Sequence, residues 1–440
     1  MRGLPPALST SANRERDAAR TCSDCNPKRP DLQANKRRSK QAAMYGVDPP
    51  LTMKRVRSQN SQKNPRNKVV VIVPATSANM GPGFDALGLG LDIWNEISVE
   101  RAAKFKITTE GEGAGAIPET VDENGESDHM VIKALKRAFE YAGEPMPRVK
   151  VHCRNRIPVC SGFGSSSAAI VGGLVAGLAL AGLELRAGYD PGHPQWLPEE
   201  LLQLATEMEG HPDNVAPSIY GGIQLSVQLS PVDMGGGPRL NAQLALSRRV
   251  PIPEGLRLVA YVPSEATRFS FASADKTNEM RALLPPDVPR EQAVFNIQRT
   301  ALLIDCLHRG DLSLLRFATE DVLHQPARAT IYPHLKPMCQ AAINAGAHGA
   351  FLSGAGPTIL AICSGATGGD IFTQTREERQ ENGVANAMRR AVDSLSTKHD
   401  QWKGGKFYIC SPCYQGCHVV SADPPMSDAM ATFGTLDGDL

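Results

Sequence analysis

The chain has 440 residues, 41% of them hydrophobic and 21% charged. That is the composition of a globular protein rather than a disordered chain or a fibrous repeat, and the length suits two or three domains. The formal net charge of +1 excludes a protein that coats nucleic acid, but it hides an asymmetry: residues 1–66 carry fifteen Lys and Arg against five Asp and Glu, a net +10 that leaves −9 on the remainder.

This basic leader mixes Pro, Ser, Asn and Gln without apolar periodicity and reads as disorder. Its acidic residues and the KRRSK run at 36–40 fit an organelle transit peptide poorly. A targeting leader, a basic interaction arm and a plain extension all stand, with Met44 and Met53 as alternative starts. The apolar stretch Ala168 to Leu183 has 16 residues, short of the roughly 20 that span a bilayer. It reads as a buried helix, and no membrane association is expected. No apolar segment opens the chain, and the ten cysteines are scattered. Reduced thiols in a cytoplasmic protein are the expectation.

Order starts at Lys68. The β-branched run Val69–Val73 predicts a buried strand, and Leu87, Leu89, Leu91 and Ile93 alternate as a second strand with one buried face. Val131, Leu135, Ala138, Phe139 and Ala142 recur at helical spacing, Val149, Val151 and Cys153 alternate as a strand, and Ile223 to Leu229 gives another. A Gly-rich break at Pro231–Pro238 reads as a hairpin loop or the approach to a domain boundary. The pattern then restarts with Leu258, Ala260 and Val262. Helices are predicted near 290–308, from Asp311 with its carboxylate as N-cap, at 336–345 ending in Gly346, and at 384–395. Phe351–Leu352 and Thr358–Cys363 read as strands, and the charges at 370–381 as a solvated insertion. No internal repeat is evident. Strands and helices interleave in both halves, which makes the fold class α+β with two domains.

Four segments carry chemistry. In Pro158-Val159-Cys160-Ser161-Gly162-Phe163-Gly164-Ser165-Ser166-Ser167-Ala168 two glycines permit a tight turn before a helix whose free N–H groups make an anion site, naturally for a phosphate. A serine hydroxyl there suits a magnesium ion bridging nucleotide phosphates. A Gly/Ser turn that merely caps a buried helix is the plainer alternative. No G-x-x-x-x-G-K-[ST] sequence occurs, so a P-loop NTPase is excluded. Pro74 to Asp85 (PATSANMGPGFD) links two predicted strands and offers Asn79 and the Asp85 carboxylate, suited to an ammonium group; turn chemistry explains such residues equally well. Glu209-Gly-His211-Pro-Asp213-Asn214 runs out of a helix towards a strand, and Ser353-Gly-Ala-Gly-Pro-Thr358 is a second glycine turn.

Together these segments resemble the GHMP small-molecule kinases, whose Pro-x-x-x-Gly-x-Gly-Ser-Ser motif is matched from Pro158, and among them the homoserine kinases. Pro74–Asp85, His211-Pro-Asp-Asn-Val-Ala-Pro, Asp321-Val-Leu-His324-Gln325-Pro-Ala-Arg328 and the Ser353 turn all fit, over roughly residues 68–363. The resemblance, weaker beyond 363 to about 421 and absent from the leader at 1–66, implies an N-terminal ATP-binding α+β domain at 67–235 and a ferredoxin-like α+β domain at 250–422, which leaves 423–440 as a flexible tail. It implies transfer of the ATP γ-phosphoryl group to the side-chain hydroxyl of L-homoserine, giving O-phospho-L-homoserine for threonine synthesis. It further implies that Asp85 binds the substrate ammonium, that Arg281 and Arg328 hold its carboxylate with Thr277 nearby, and that Asn79 and Asn214 orient the hydroxyl. Ser166 and Glu209 would ligate magnesium, residues 158–168 would hold ATP, and Asp213 is a candidate base. A small-molecule partner and no nucleic acid follow, and a homodimer is left open.

Two departures from the family pattern stand out. His129 replaces an Asn expected near the nucleotide base, and 364–383 reads as an insertion. Cys410, Cys413 and Cys417 with His418 have a metal-like spacing but are read as structural thiols. His211 and His324 are expected to form active-site hydrogen bonds, and Arg268 and Arg299 to lie at the surface or a domain contact.

Overall fold

The computed structural model describes residues 65–185, 195–196, 198–229, 244–271, 276–364, 379–395 and 397–426, all within one compact unit. Residues 1–64, the Pro231–Pro238 break and the tail from 427 lie outside the described residues.

The chain runs β1 (Lys68–Ala78), β2 (Leu87–Arg101), β3 (Lys106–Gly111), α1 (Met130–Ala142), β4 (Val149–Asn155), α2 (Ser165–Leu180), the short strands β5 (Glu184–Leu185) and β6 (Gln195–Trp196), α3 (Pro198–Glu209), α4 (Pro212–Tyr220), β7 (Ile223–Leu229) and β8 (Leu244–Val250). It continues through β9 (Leu256–Val262), α5 (Glu265–Phe269), α6 (Lys276–Ala282), α7 (Arg290–Arg309), the single turns α8 (Leu315–Ala318) and α9 (Gln325–Arg328), α10 (Leu335–Asn344), β10 (Gly349–Leu352), β11 (Ile359–Ser364), α11 (Gln380–Asp393), β12 (Lys406–Cys410) and β13 (His418–Asp423).

The first sheet has the order β13-β1-β2-β4-β3, with β7 and β8 continuing from the far end of β2. Val69, Val71 and Val73 are fully buried on one face of β1, as the apolar run predicts. The strand then continues past the expected loop: Ser77 pairs with Leu89 and Ala78 with Gly88. Pro74 has no N–H to give the ladder, and the register shifts between Pro74 and Ala75. The small residues Ala75–Ala78 stay in the sheet because they lie beneath the glycine loop at 158–164, where Thr76 N–H donates to the Phe163 carbonyl at 3.1 Å. The connecting turn is therefore only 79–86.

Helix α2 is apolar on every side and buried from Ser167 onward except at Ala169. Built Cβ atoms at Gly173 and Gly177 would lie 2.7 and 2.6 Å from those of Ala134 and Ala138, so small residues bring α1 and α2 together. At the carboxyl end of α2, Arg66 Nη1 donates to the Ala179 carbonyl at 2.9 Å and Arg101 Nη2 to the Leu180 carbonyl at 3.3 Å. Two cations thus meet the negative end of the helix dipole.

The second sheet is antiparallel, β10-β11-β9-β12. Counted from β9 this is a βαββαβ unit with strand order 4-1-3-2, the ferredoxin-like arrangement. Alternation along β9 sends Leu258 and Ala260 into the core shared with the first sheet, while Val259 and Tyr261 join Val384, Met388 and Trp402 on the opposite face. The range 250–422 expected for the second domain includes β13, which the structure pairs with β1 in the first sheet.

Three local expectations change. Asp311 starts no long helix: its carboxylate accepts from Ser313 N–H at 3.0 Å in a turn, and only Leu315–Ala318 is helical. The segment after Glu209 enters α4 rather than a strand, with Pro212 at the first helical position. The expected insertion at 364–383 is ordered at both ends, since Ser364 N–H donates to Gln380 Oε1 at 2.9 Å and Glu381 is buried; residues 365–378 lie outside the described residues. Among the described residues no helix is long and apolar enough to cross a membrane.

Candidate active site

The glycine loop at 158–164 tolerates no side chain at two points. Gly164, the N-cap of α2, has φ +63°, and a Cβ there would fall 1.9 Å from Thr76 Oγ1. At Gly162, with φ +93°, a Cβ would meet the Ser353 carbonyl at 2.3 Å. The second glycine turn therefore supports the first. Ser353 Oγ lies 2.8 Å from both the Gly162 carbonyl and Ser77 Oγ, and Thr358 N–H donates to the Ser161 carbonyl at 3.1 Å. Arg268 is buried at the domain contact, donating to the Val159 carbonyl and, at 2.9 Å, to Glu112 Oε2. Within the loop Ser161 Oγ donates to the Pro158 carbonyl at 2.7 Å, and Cys160 holds φ +55°.

No side chain caps α2. Its first N–H groups, at Ser165 and Ser166, stand at the positive end of a 16-residue helix, a setting that suits an anion. Beside them Ser166 Oγ donates to Glu209 Oε2 at 3.1 Å and Ser167 Oγ to Glu209 Oε1 at 2.8 Å. An all-oxygen set of hydroxyls around one carboxylate suits a hard divalent cation whose other ligands come from phosphate and water.

The second half of the site surrounds Phe84. Asn79 and Asp85 both adopt φ +56°, a left-handed conformation that Asn and Asp accept more readily than other side chains. Asp85 N–H donates to Asn79 Oδ1 at 2.9 Å, which closes the turn. The Asp85 carboxylate receives two parallel hydrogen bonds from Arg281 Nη1 and Nη2, at 2.8 and 2.6 Å. The guanidinium groups of Arg281 and Arg328 lie 5.4 and 5.5 Å from the centre of the Phe84 ring. Arg328 is 2% exposed, and its Nη1 donates to the Gly354 carbonyl and to His324 Nδ1, both at 3.0 Å. Burial lowers its affinity for a proton, and the Asp85 charge acts in the opposite direction.

The strip between these halves comes from α4. Thr76 Oγ1 donates to Asn214 Oδ1 at 2.8 Å, and that oxygen lies 3.1 Å from where a Gly164 Cβ would stand. Asn214 therefore borders the phosphate loop, and its amide N–H groups are left to serve an acceptor. Asp213, 1% exposed, bonds His211 Nδ1 through Oδ1, while its Oδ2 is buried without a partner. Burial on its own lowers the His211 imidazole, but the charge and hydrogen bond of Asp213 raise it to about 9. The Asp213 charge also acts on Arg281, which links this strip to the Phe84 cluster.

The structure thus brings together Asn79, Asp85, Asp213, Asn214, Arg281 and Arg328, with Ser166 and Glu209 alongside. The side chain of Thr277 lies outside the described residues. Two expectations are modified. Asp85 and Arg281, assigned to opposite ends of a zwitterion, neutralise one another. His129 caps α1: its Nδ1 accepts from Val131 N–H at 3.2 Å, and burial lowers the imidazole to about 4. Thr76, Phe84 and Ser353 lie in segments the sequence singles out, but they carry no assigned role there, since only the folded packing shows what they touch. Arg299 pairs with Glu320 at 3.3 Å. The Cys413 thiol donates to the Gln415 carbonyl at 3.1 Å, and burial raises the thiols of Cys410, Cys413 and Cys417.

Residues 129–222 match the GHMP kinases N terminal domain and residues 303–393 the GHMP kinases C terminal family. The chain is 38% identical to the homoserine kinase of Moorella thermoacetica, over 67% of this chain and 88% of that one. It is 40% identical to the homoserine kinase of Mycolicibacterium smegmatis, over 66% and 83%. The crystal structure of homoserine kinase from Cytophaga hutchinsonii superposes with a TM-score of 0.61 at 26% identity, covering 82% of this chain and 99% of that one. Mevalonate kinase from L. major, in complex with R-mevalonate, shares the fold at a TM-score of 0.51 and 16% identity over 80% of this chain and 99% of that one. With both domain families matched and relatives of this identity covered over most of their length, the chain belongs to the homoserine kinases of the GHMP kinase superfamily.

Proposed function

We propose that the protein transfers the γ-phosphoryl group of ATP to the side-chain hydroxyl of L-homoserine, yielding O-phospho-L-homoserine and ADP. The observation that carries this reading is the convergence of one carboxylate, Asp85, and two guanidinium groups, Arg281 and Arg328, on the Phe84 ring. A zwitterionic amino acid needs both signs of charge at one place, and a neutral polyol needs neither.

Binding is an exchange of partners. The substrate ammonium replaces Arg281 on Asp85, and the substrate carboxylate takes up Arg281 together with Arg328. One internal ion pair becomes two charge-assisted contacts with the guest. The uncapped start of α2 receives the triphosphate. Asn79 and Asn214 orient the hydroxyl: Asn214 stands between the phosphate loop and the Asp213 strip, and Asn79 fixes the turn that carries Asp85.

The O–P bond forms as the bond from the γ-phosphorus to its bridging oxygen breaks, and the hydroxyl proton leaves. The transition state of phosphoryl transfer is loose, so alignment and charge stabilisation outweigh proton abstraction. Asp213 Oδ2, buried and unpartnered, is the oxygen that accepts this proton late in the transfer. The His211 imidazolium holds the other oxygen and keeps the carboxylate oriented. Ser166 Oγ and the Glu209 carboxylate fit magnesium, which when bound neutralises phosphate charge. Both substrates are soluble, which suits a cytoplasmic enzyme, and every residue invoked comes from a single chain.

The test is ATP consumption with L-homoserine, L-serine, mevalonate and galactose as acceptors. Turnover with L-homoserine and formation of its phosphate ester support the reading. Preference for mevalonate or galactose rejects it.

A further inference from the structure

His324 is fully buried, and both of its ring nitrogens are bonded. Nε2 lies 2.8 Å from the Gly81 carbonyl and Nδ1 3.0 Å from Arg328 Nη1. A carbonyl only accepts and a guanidinium only donates, so Nε2 carries the hydrogen and Nδ1 is bare. Its ring stacks on Phe84, centroids 5.4 Å apart and planes 25° apart. The turn bearing His324 is itself fixed, because the Asp321 carboxylate accepts from the N–H groups of Leu323, His324 and Gln325 and from Asn296 Nδ2, at 2.7 to 3.1 Å.

We propose that His324 is a positioning residue for the substrate carboxylate. Together with the Gly354 carbonyl it occupies Nη1 of Arg328, and Arg328 Nε is left buried without a partner. The remaining edge of the guanidinium is thereby turned to the guest. Because the other ring nitrogen binds Gly81, the same imidazole fixes this edge relative to the 79–85 turn that carries Asp85. The proposal rests on the assignment of Arg328 to the homoserine carboxylate.

The test compares wild type, His324→Phe and His324→Gln, each with Arg328 intact and in an Arg328→Ala background. Phe keeps the stack on Phe84 and removes both hydrogen bonds, whereas the Gln amide keeps one acceptor and one donor. His324→Phe is expected to raise KM for L-homoserine about tenfold, the loss of one charge-assisted hydrogen bond, with KM for ATP nearly unchanged, while the thermal midpoint falls because two buried partners lose their hydrogen bonds. His324→Gln is expected to restore most of the loss, and in the Arg328→Ala background His324→Phe should add nothing further.

The proposal is overturned by an unchanged homoserine KM in a folded His324→Phe protein, by an equal rise in KM for ATP, or by a full penalty that persists without Arg328. Should His324→Phe fail to fold, a folded His324→Gln with a tenfold loss overturns it just as well. Wild type inactive on L-homoserine overturns the functional reading and this proposal with it. An active wild type with a silent His324 overturns the proposal alone.

Discussion

Asp85 and Arg281, 196 residues apart in sequence, meet through two parallel hydrogen bonds of 2.8 and 2.6 Å. Both side chains are about a third exposed, so solvent screening keeps the pair's strength modest. A bond of that kind can be traded for a guest. The site is held ready by charges that already compensate one another, and binding redistributes them without stripping water from isolated ions.

Asp85→Asn removes the ammonium partner and leaves Arg281 without its carboxylate. Steady-state kinetics should show kcat/KM for L-homoserine falling on the order of 100-fold, consistent with about 3 kcal/mol for a contact between charged groups. KM for ATP should hardly move. A fall confined to ATP would reject the assignment of Asp85.

Glu209→Gln keeps the shape of the side chain and removes its charge. Titrating magnesium at fixed ATP should show the requirement rising by about tenfold, as expected when a carboxylate at a metal site is lost. Equal activity at low magnesium would separate Glu209 from the cation.

The His211–Asp213 pair predicts a pH dependence of stability. The imidazole titrates near 9 in the folded protein against an ordinary value of 6.5. Its contribution is therefore complete below about 6.5 and is lost as the pH rises through about 9. Thermal midpoints measured across that window should fall in wild type and fall less in His211→Asn. Parallel curves for the two proteins would show that the pair contributes nothing.

Gly164→Ala places a methyl group against Thr76 Oγ1, which would lie 1.9 Å away, in a left-handed conformation. The conformation alone costs about 1–2 kcal/mol, and the clash forces the loop to move. KM for ATP should rise at least about tenfold, while substitution at the exposed Gly143, where a Cβ would meet nothing within 4 Å, should leave it alone.

Much of the nucleotide half was legible in the sequence, because Gly162, Gly164 and the hydroxyls after them are consecutive and their chemistry is local. The substrate half was not legible from pattern. Asp85 needs Arg281, and His324 needs a carbonyl 243 residues away, so these pairings exist only once two sheets share one core. β1 was cut short for a related reason: Ala75–Ala78 have turn-like composition, and burial beneath the phosphate loop overrides it. Family resemblance supplied the roles of Asp85 and Arg328, and it gave no hint that Asp85 would be closed by Arg281.

Arg66 sets a limit on how far the amino terminus can be trimmed. Its guanidinium plugs the carboxyl end of the helix whose opposite end is the proposed triphosphate site. Translation from Met44 or Met53, or a protease cut up to residue 65, would spare that plug. A cut one position later would loosen the helix behind the proposed nucleotide site, although the removed residue lies a full helix length from the 158–164 loop.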